Sequence, residues 1–317
     1  MIHRRQILTT MAAGGAVMTL PGSVLALPPD NAYRNDIGIQ LYTLRDAIAK
    51  DATATLAKVA NAGYRQVEPY GFPDCDPILE AADAAGLPVR SSHFAADPLI
   101  RGDGDALDQF ARIVEKANDR GLKHLVIPYI GGEHRKSLDD YRRMAESFNA
   151  AAEIAHKAGI QLAYHNHAFE FIAMNDSDAT TSSESEKTGN EPAQTINTVR
   201  PRHGYDVFAK AFSPKMQFEV DVFWVQVAGV DPVKLIGDLS GRVSQLHLKD
   251  LSADVPVPTY EGVPKEGFEE LGDGVVNIEA IIEAAAPAGV AHCHVEQDHS
   301  PHPIKSIRQS LKYLSAL

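Results

Sequence analysis

The stretch LDDYRRMAESFNAAAEIAHKAGIQLAYHNH, residues 138 to 167, contains an amphipathic helical pattern, then a glycine, then a short strand pattern. Gly159 stands where a helix C-cap is expected, just before the strand begins. From Asp36 onward the same order of helix and strand recurs along the chain. Strands that alternate with helices in this way predict parallel βα units, because each helix serves as the crossover between two strands.

Eight segments of the chain have a strand pattern. They are IGIQLYT (37 to 43), YRQVEPY (64 to 70), PVRSSHF (88 to 94), HLVIPYI (124 to 130), QLAYHNH (161 to 167), QFEVDVFW (217 to 224), VSQLHLKD (243 to 250) and AHCHVEQD (291 to 298). Eight strands, each followed by a helix, in about 280 residues is the count of a (β/α)8 barrel. A doubly wound open sheet is the alternative, but no GxGxxG motif follows the first strand. We therefore predict an α/β protein with a single-domain (β/α)8 TIM barrel.

Two segments interrupt the alternation. Residues 173 to 204 are polar and almost free of aromatic residues, which indicates an insertion in the loop after strand five. Residues 251 to 276 form a long loop rich in proline and glycine after strand seven. In a barrel both loops lie at the C-terminal mouth, where they can serve as a lid or a substrate wall. A disordered surface insertion is the alternative for the first.

The first 26 residues have the features of an export signal. Arg4 and Arg5 precede an uncharged stretch from Gln6 to Leu25, and residues 24 to 26 offer small side chains for cleavage. We predict a Tat-type signal peptide over 1–26, a mature barrel over 27–317 and a periplasmic location; a retained signal anchor is the alternative. No later segment is apolar enough to cross a membrane.

The charge of the chain bears on its partners. Without residues 1–26, which contain two arginines and no acid, 28 basic residues face 42 acidic ones, a net charge of about −14. Nucleic acid is therefore not an expected partner, because phosphate binding needs a basic surface. The two cysteines, Cys75 and Cys293, have a spacing that fits either a disulfide or two buried thiols.

Inward-facing polar residues concentrate at the C-terminal ends of the predicted strands. They are Glu68, His93, His165, His167, Glu219, Asp221, His247, Lys249, His294, Glu296 and Asp298. Side chains at these positions reach the mouth of a barrel, and the last four strands each end in a residue able to bind a divalent cation. Mixed imidazole and carboxylate ligands favour manganese, zinc, iron, cobalt or nickel over calcium.

Seven motifs make the chain resemble a known family. They are IQLYTLRD, GYRQVEPYGF, SSHF, YHNHAFEF, FEVDVFW, LHLKD and HVEQD, from strands one, two, three, five, six, seven and eight. With these motifs the chain resembles the xylose isomerase-like TIM barrel superfamily, in the branch called sugar phosphate isomerases/epimerases. The similarity runs from about Ile37 to the C-terminus and is interrupted by the polar insertion.

The resemblance implies a set of metal ligands. Family members commonly hold the cation with a glutamate, an aspartate, a histidine and a glutamate that end strands five to eight. Asp221, His247 and Glu296 match the last three. At strand five this sequence has His165 instead, which implies a site of two histidines and two carboxylates that favours transition metals, with manganese as the first choice. His167 or Glu170 is the alternative ligand at that position.

The resemblance also implies the chemistry. A cation on a carbonyl oxygen stabilises the enediolate that forms when a base removes the neighbouring proton. The candidate acid/base residues are Glu170, His167, Lys249, Glu68 and His93. Trp224 could stack on a sugar, but its odd position relative to Asp221 predicts packing behind the sheet.

Several functions remain open on the sequence. The first is a metal-dependent isomerase or epimerase of a sugar or keto-sugar, and the second is a lyase that cleaves 3-keto-glycosides by β-elimination. A metal-dependent nuclease and a non-catalytic carbohydrate-binding protein are the alternatives from other classes. Export and negative charge favour a neutral keto-sugar or keto-glycoside over a phosphorylated one. We predict a small-molecule sugar partner and no membrane attachment after cleavage, and make no prediction of oligomeric state.

Overall fold

A computed structural model describes residues 35–174, 203–260, 262–290 and 292–317. The predicted signal peptide over 1–26 and most of the predicted insertion over 173–204 lie outside the described residues. Among the helices that are described, none combines the length and the apolar character needed to cross a bilayer.

Eight parallel strands form the centre of the molecule. They are β1 Gly38–Gln40, β2 Gln66–Glu68, β3 Ser91–His93, β4 His124–Ile127, β5 Gln161–His165, β6 Met216–Asp221, β7 Val243–Leu248 and β10 His292–Val295. Two short strands outside the barrel, β8 Asp250–Leu251 and β9 Phe268–Glu269, lie in the loop between β7 and β10. The spatial order of the eight barrel strands is β2-β1-β10-β7-β6-β5-β4-β3, and single parallel bridges from Val67 to Val89 and from Phe72 to Phe94 bring β2 and β3 together. The sheet is therefore a nearly closed barrel, and the predicted fold is confirmed.

Strand register places the predicted site residues side by side. His165 on β5 pairs with Glu219 on β6, and Asp221 on β6 pairs with His247 on β7. His247 in turn pairs with His294 on β10. Paired residues of parallel neighbours share a face of the sheet, so these side chains all project into the barrel near its C-terminal end.

α-Helices surround the barrel between the strands. Their bounds are Arg45–Ile48, Ala52–Ala62, Asp76–Ala85, Asp97–Arg101, Ala106–Asp119, Leu138–Lys157, Gly204–Ala211, Val222–Val227, Pro232–Asp238, Ile278–Ala285 and Pro303–Ala316. The longest begins with a capping box, in which Ser137 and Asp140 satisfy each other's backbone N–H groups. It buries one apolar face, including Tyr141, Met144 and Phe148, against the sheet.

The predicted strands all extend beyond the observed ones, and for the sixth, predicted over 217 to 224, the difference changes the position of a side chain. Strand β6 ends at Asp221, and a helix begins at Val222 because the Asp221 carboxylate accepts a hydrogen bond from the backbone N–H of Trp224 and acts as its N-cap. Trp224 therefore lies on a helix at the C-terminal mouth. The prediction that it packs behind the sheet is wrong, since strand alternation does not extend past residue 221.

The loop after β7 is held by one buried carboxylate. Short strands β8 Asp250–Leu251 and β9 Phe268–Glu269 pair antiparallel across it. Asp250 accepts hydrogen bonds from the backbone N–H groups of Leu251, Gly272, Gly274 and Val276. The loop is thereby tied to the end of β7, next to the predicted site.

The two cysteines, Cys75 and Cys293, are both free and buried, so they form no disulfide.

Candidate metal centre

The four predicted metal ligands come together at the barrel mouth. Each of His165, Asp221, His247 and Glu296 offers one ligand atom, and these atoms all lie within 4.8 Å of one another. All four side chains are buried. The Oδ2 atom of Asp221 lies 3.0 Å from the Lys249 ammonium, without the geometry of a hydrogen bond. It lies 3.8 Å from His165 Nε2 and 4.0 Å from His247 Nδ1. A buried carboxylate oxygen that faces two imidazole nitrogens fits a divalent transition metal.

One ring nitrogen of each histidine is held by a carboxylate that is buried inside the barrel. His165 uses Nδ1 to contact Glu219 Oε2 at 3.1 Å, and His247 uses Nε2 to contact Glu68 Oε1 at 2.7 Å. The other nitrogen of each ring faces the ligand carboxylates: His165 Nε2 lies 3.8 Å from Asp221 Oδ2, and His247 Nδ1 lies 2.8 Å from Glu296 Oε2. Carboxylate partners of this kind orient metal-binding histidines and raise their basicity.

Glu219 is the residue whose role was not anticipated. It is fully buried, and it accepts hydrogen bonds from His93 Nε2 at 2.8 Å and Gln245 Nε2 at 2.6 Å as well as from His165. Burial would raise the pKa of Glu219, but the charges of His247 and His93 outweigh it and hold the pKa well below its usual value. The available signal was its position two residues before Asp221, which puts both on the inner face of one strand.

Removal of the Glu219 charge should weaken metal binding without removing a ligand. We expect Glu219→Gln to lower the affinity for manganese or zinc by about 10–100-fold, the usual effect of losing a carboxylate behind a metal-binding histidine. Isothermal titration of the metal-stripped protein measures this. Glu153→Gln, at a partly exposed glutamate paired with Lys215, is the control and should bind as the wild type does. An unchanged affinity in Glu219→Gln would show that Glu219 does not support the centre.

Lys249 brings a positive charge to the centre. Its ammonium lies 2.7 Å from Glu296 Oε2, 2.8 Å from Asp298 Oδ1 and 3.0 Å from Asp221 Oδ2. Burial alone would lower the pKa of Lys249, but these three carboxylates hold it well above its usual value. Lys249 is therefore a cation at neutral pH and can stabilise negative charge, but it cannot accept a proton.

A cavity of about 390 Å³ opens over the centre, within the size range of small-molecule sites. Its wall includes the candidate ligands His165 and Glu296 together with His93, His167, Lys249 and Asp298. Three of the five predicted acid/base residues, namely His93, His167 and Lys249, therefore meet at one cavity. Glu68 lies below it, fully buried against His247.

His167 is the neutral base available at this cavity. The pKa of His167 lies well below its usual value. Desolvation is the largest cause, and the nearby His165 and Lys249 lower the pKa further. The Nδ1 atom of His167 has no hydrogen-bond partner in the described chain. By contrast, His93 contacts Glu219 at 2.8 Å and Glu68 at 3.5 Å, and although burial opposes it, these carboxylates raise its pKa. Of the two residues His93 and His167, only the latter is held in the form that accepts a proton.

The structure does not bring Glu170 to the cavity. Its fully buried carboxylate accepts hydrogen bonds from the Tyr164 hydroxyl and, at 2.9 Å, from the backbone N–H of His167. Tyr164 packs among Phe148, Phe208 and other rings on the outer side of β5. From there Glu170 fixes the backbone at His167 rather than facing a substrate.

Glu170 should make stability depend on pH. Burial raises its pKa from 4.5 to about 8 despite the hydrogen bonds from Tyr164 and His167. The folded chain therefore holds a proton that the unfolded chain releases, and stability falls as pH rises between those values. We expect Glu170→Gln to raise the melting temperature by about a few degrees at pH 8 and to leave it unchanged at pH 4. An equal shift at both pH values would contradict this assignment.

Comparison with known proteins agrees with this geometry. A family model described as the xylose isomerase-like TIM barrel matches residues 56–317. The chain belongs to this family. An inosose dehydratase from Clostridium beijerinckii is similar to this chain, with 19% identity over 250 residues that cover 72% of this chain and 75% of the relative.

Solved structures share the fold of this chain. A sugar phosphate isomerase/epimerase from Parabacteroides distasonis superimposes with a TM-score of 0.69 at 25% identity, over 89% of this chain and 94% of that one. The IOLI protein, solved with a zinc atom bound, superimposes with a TM-score of 0.58 at 14% identity, over 88% of this chain and 92% of that one. Proteins of this family are generally enzymes that act on small sugar substrates.

Proposed function

We propose that this xylose isomerase-like barrel is a metal-dependent isomerase or epimerase that removes a proton from the carbon next to the carbonyl of a neutral keto-sugar. The observation that carries the proposal is the meeting of a candidate cation site, a neutral imidazole and a cationic lysine at one cavity. His165, Asp221, His247 and Glu296 would hold the ion, with manganese as the first choice and zinc, cobalt, iron or nickel as the others. When bound, the ion supplies a Lewis acid that favours negative charge on a sugar oxygen.

His167 and Lys249 are the two residues that act directly on the substrate in this proposal. His167 takes the proton, because its lowered pKa keeps the ring neutral and its side chain lines the cavity. Lys249 stabilises the negative oxygen of the enediolate from a fixed position. Return of the proton to the neighbouring carbon gives isomerisation, and return to the opposite face gives epimerisation.

A neutral substrate suits the charge of the cavity. The Lys249 ammonium is already matched by Asp221, Glu296 and Asp298. His93 is likewise held by Glu219 and Glu68. A phosphate group would therefore meet more carboxylates than free cations at this part of the wall. The signal-like residues 1–26 support the same choice, because we propose a periplasmic location, where sugar phosphates are scarce.

Hydrogen exchange tests the proposed chemistry. The manganese-loaded protein is incubated in deuterated water with a panel of free keto-sugars and 3-keto-glycosides, and deuterium is located by NMR. We expect exchange at the carbon next to the carbonyl of at least one compound, and none with metal-stripped protein. Absence of exchange across the panel would overturn the proposal.

A lyase is the second candidate, favoured by the relative named inosose dehydratase. β-Elimination begins with the same proton removal and ends with loss of the group on the next carbon. The two candidates separate by product: an isomerase or epimerase returns a sugar of the same mass, whereas a lyase yields an unsaturated sugar and the released alcohol or water.

A further inference from the structure

A second cavity lies beside the one over the metal centre. Its volume is about 200 Å³, and Tyr129 and His167 line both cavities. The rest of its wall includes Phe169, Trp224, Tyr260 and Arg135. We refer to this space as the aromatic cavity. Because the two cavities share these two residues, they adjoin at the proposed base, His167.

The rings that line the aromatic cavity are arranged around His167. Phe169 stacks on the imidazole at a centroid distance of 5.4 Å with planes 8° apart, and Trp224 lies 5.3 Å from it at 32°. Tyr129 stands almost perpendicular to both His167 and Phe169. The guanidinium carbon of Arg135 lies 3.6 Å from the centre of the Phe169 ring. Flat π-surfaces of this kind favour a flat, aromatic ligand.

Two polar groups at the aromatic cavity are unsatisfied. The indole N–H of Trp224, a side chain only 7% exposed, has no hydrogen-bond partner among the described residues, and neither has His167 Nδ1. Arg135 gives one N–H to the carbonyl of Ile130. A sugar ring would need partners for several hydroxyl groups, whereas an aromatic ring with one or two oxygens would not.

We propose that the aromatic cavity binds the aromatic aglycone of a keto-glycoside whose sugar ring lies over the metal centre. The inference rests on the proposed function for the position of the sugar. The volume of the aromatic cavity, about 200 Å³, is large enough for an aromatic ring, since apolar cavities of roughly 150 Å³ take up benzene. A phenolic oxygen there finds donors in the Trp224 indole and the Arg135 guanidinium. The substrate class is then an aryl keto-glycoside.

Trp224 itself reports occupancy, because it is the only tryptophan of the chain. Metal-stripped full-length protein is titrated with 4-nitrophenyl 3-keto-β-glucoside and, as the matched ligand, with methyl 3-keto-β-glucoside. Tryptophan fluorescence is followed with inner-filter correction. We expect saturable quenching by the nitrophenyl compound and an affinity at least about tenfold above that of the methyl compound in competition. No turnover is needed, so the result is independent of the exchange experiment.

Two variants locate the ligand. Phe169→Leu removes a wall of the aromatic cavity and should weaken nitrophenyl binding by about fivefold or more without changing methyl binding. Phe268→Leu changes an aromatic neighbour of Trp224, 6.1 Å away, that is absent from the cavity wall, and it should bind as the wild type does. Circular dichroism confirms that both variants fold.

Three outcomes would overturn the inference. They are unsaturable quenching, equal affinity for the nitrophenyl and methyl compounds, and tighter binding of 3-keto-cellobiose than of the nitrophenyl compound in competition. The last would assign the aromatic cavity to a second sugar ring. If hydrogen exchange fails while quenching persists, the cavity assignment stands and the proposed reaction falls.

Discussion

Asp221→Asn should abolish tight metal binding and leave the barrel folded. The Oδ1 atom of Asp221 caps the following helix, and an asparagine keeps that hydrogen bond. The Oδ2 atom faces the other ligands, and there an amide removes the negative charge. We expect the affinity for manganese or zinc to fall by more than about 100-fold, since loss of an outer partner alone costs 10–100-fold. Calorimetric titration and thermal melting measure the two effects separately.

The matched control is Asp231→Asn. Asp231 is the N-cap of the next helix along the chain, Pro232–Asp238, and it is exposed. This variant should bind metal as the wild type does and should melt at a similar temperature. Wild-type affinity in Asp221→Asn would place the cation site elsewhere.

The variants His165→Gln and His167→Gln should differ in metal affinity, although both should slow hydrogen exchange. His165 points Nε2 toward Asp221 and is held from behind by Glu219, so its loss should remove metal binding and exchange together. His167 lines the cavity with its pKa lowered, so its loss should leave metal affinity within about twofold and slow exchange by about 10²–10⁴-fold. Metal titration and exchange in deuterated water on the same preparations measure both.

The opposite pattern would exchange the two roles. If His167→Gln loses the metal while His165→Gln keeps it, then His167 is the ligand on strand β5. If His167→Gln exchanges deuterium at the wild-type rate with unchanged metal binding, the base is another residue of the cavity, and Asp298 would be examined next.

The barrel followed from short-range regularities of the sequence, and the choice of the four ligands followed from the family resemblance. Strand alternation and the parallel arrangement of strands bring His165, Asp221, His247 and Glu296 to one end of the barrel, because each lies at or next to the last residue of its strand. The structure brings these four together as expected, although metal binding by them stays a prediction.

Residues beyond the strand ends were harder to place. Alternation stops at His165 on β5 and at Asp221 on β6, so it carries no information about Glu170 or Trp224. Glu170 lies in the short 3-10 helix Phe169–Phe171, which turns its carboxylate to Tyr164 and the His167 backbone. The partners of Glu219 come from three other strands, and a single sequence gives no register between strands.

The Asp221 carboxylate has one oxygen on the helix that carries Trp224 and the other toward the metal ligands. Asp221 therefore connects the metal centre to the helix that lines the aromatic cavity. By thermodynamic reciprocity, any factor by which the ion changes the affinity for an aryl group is the factor by which that aryl group changes the affinity for the ion. If the bound ion strengthens aryl binding, a bound substrate strengthens retention of the ion by the same factor.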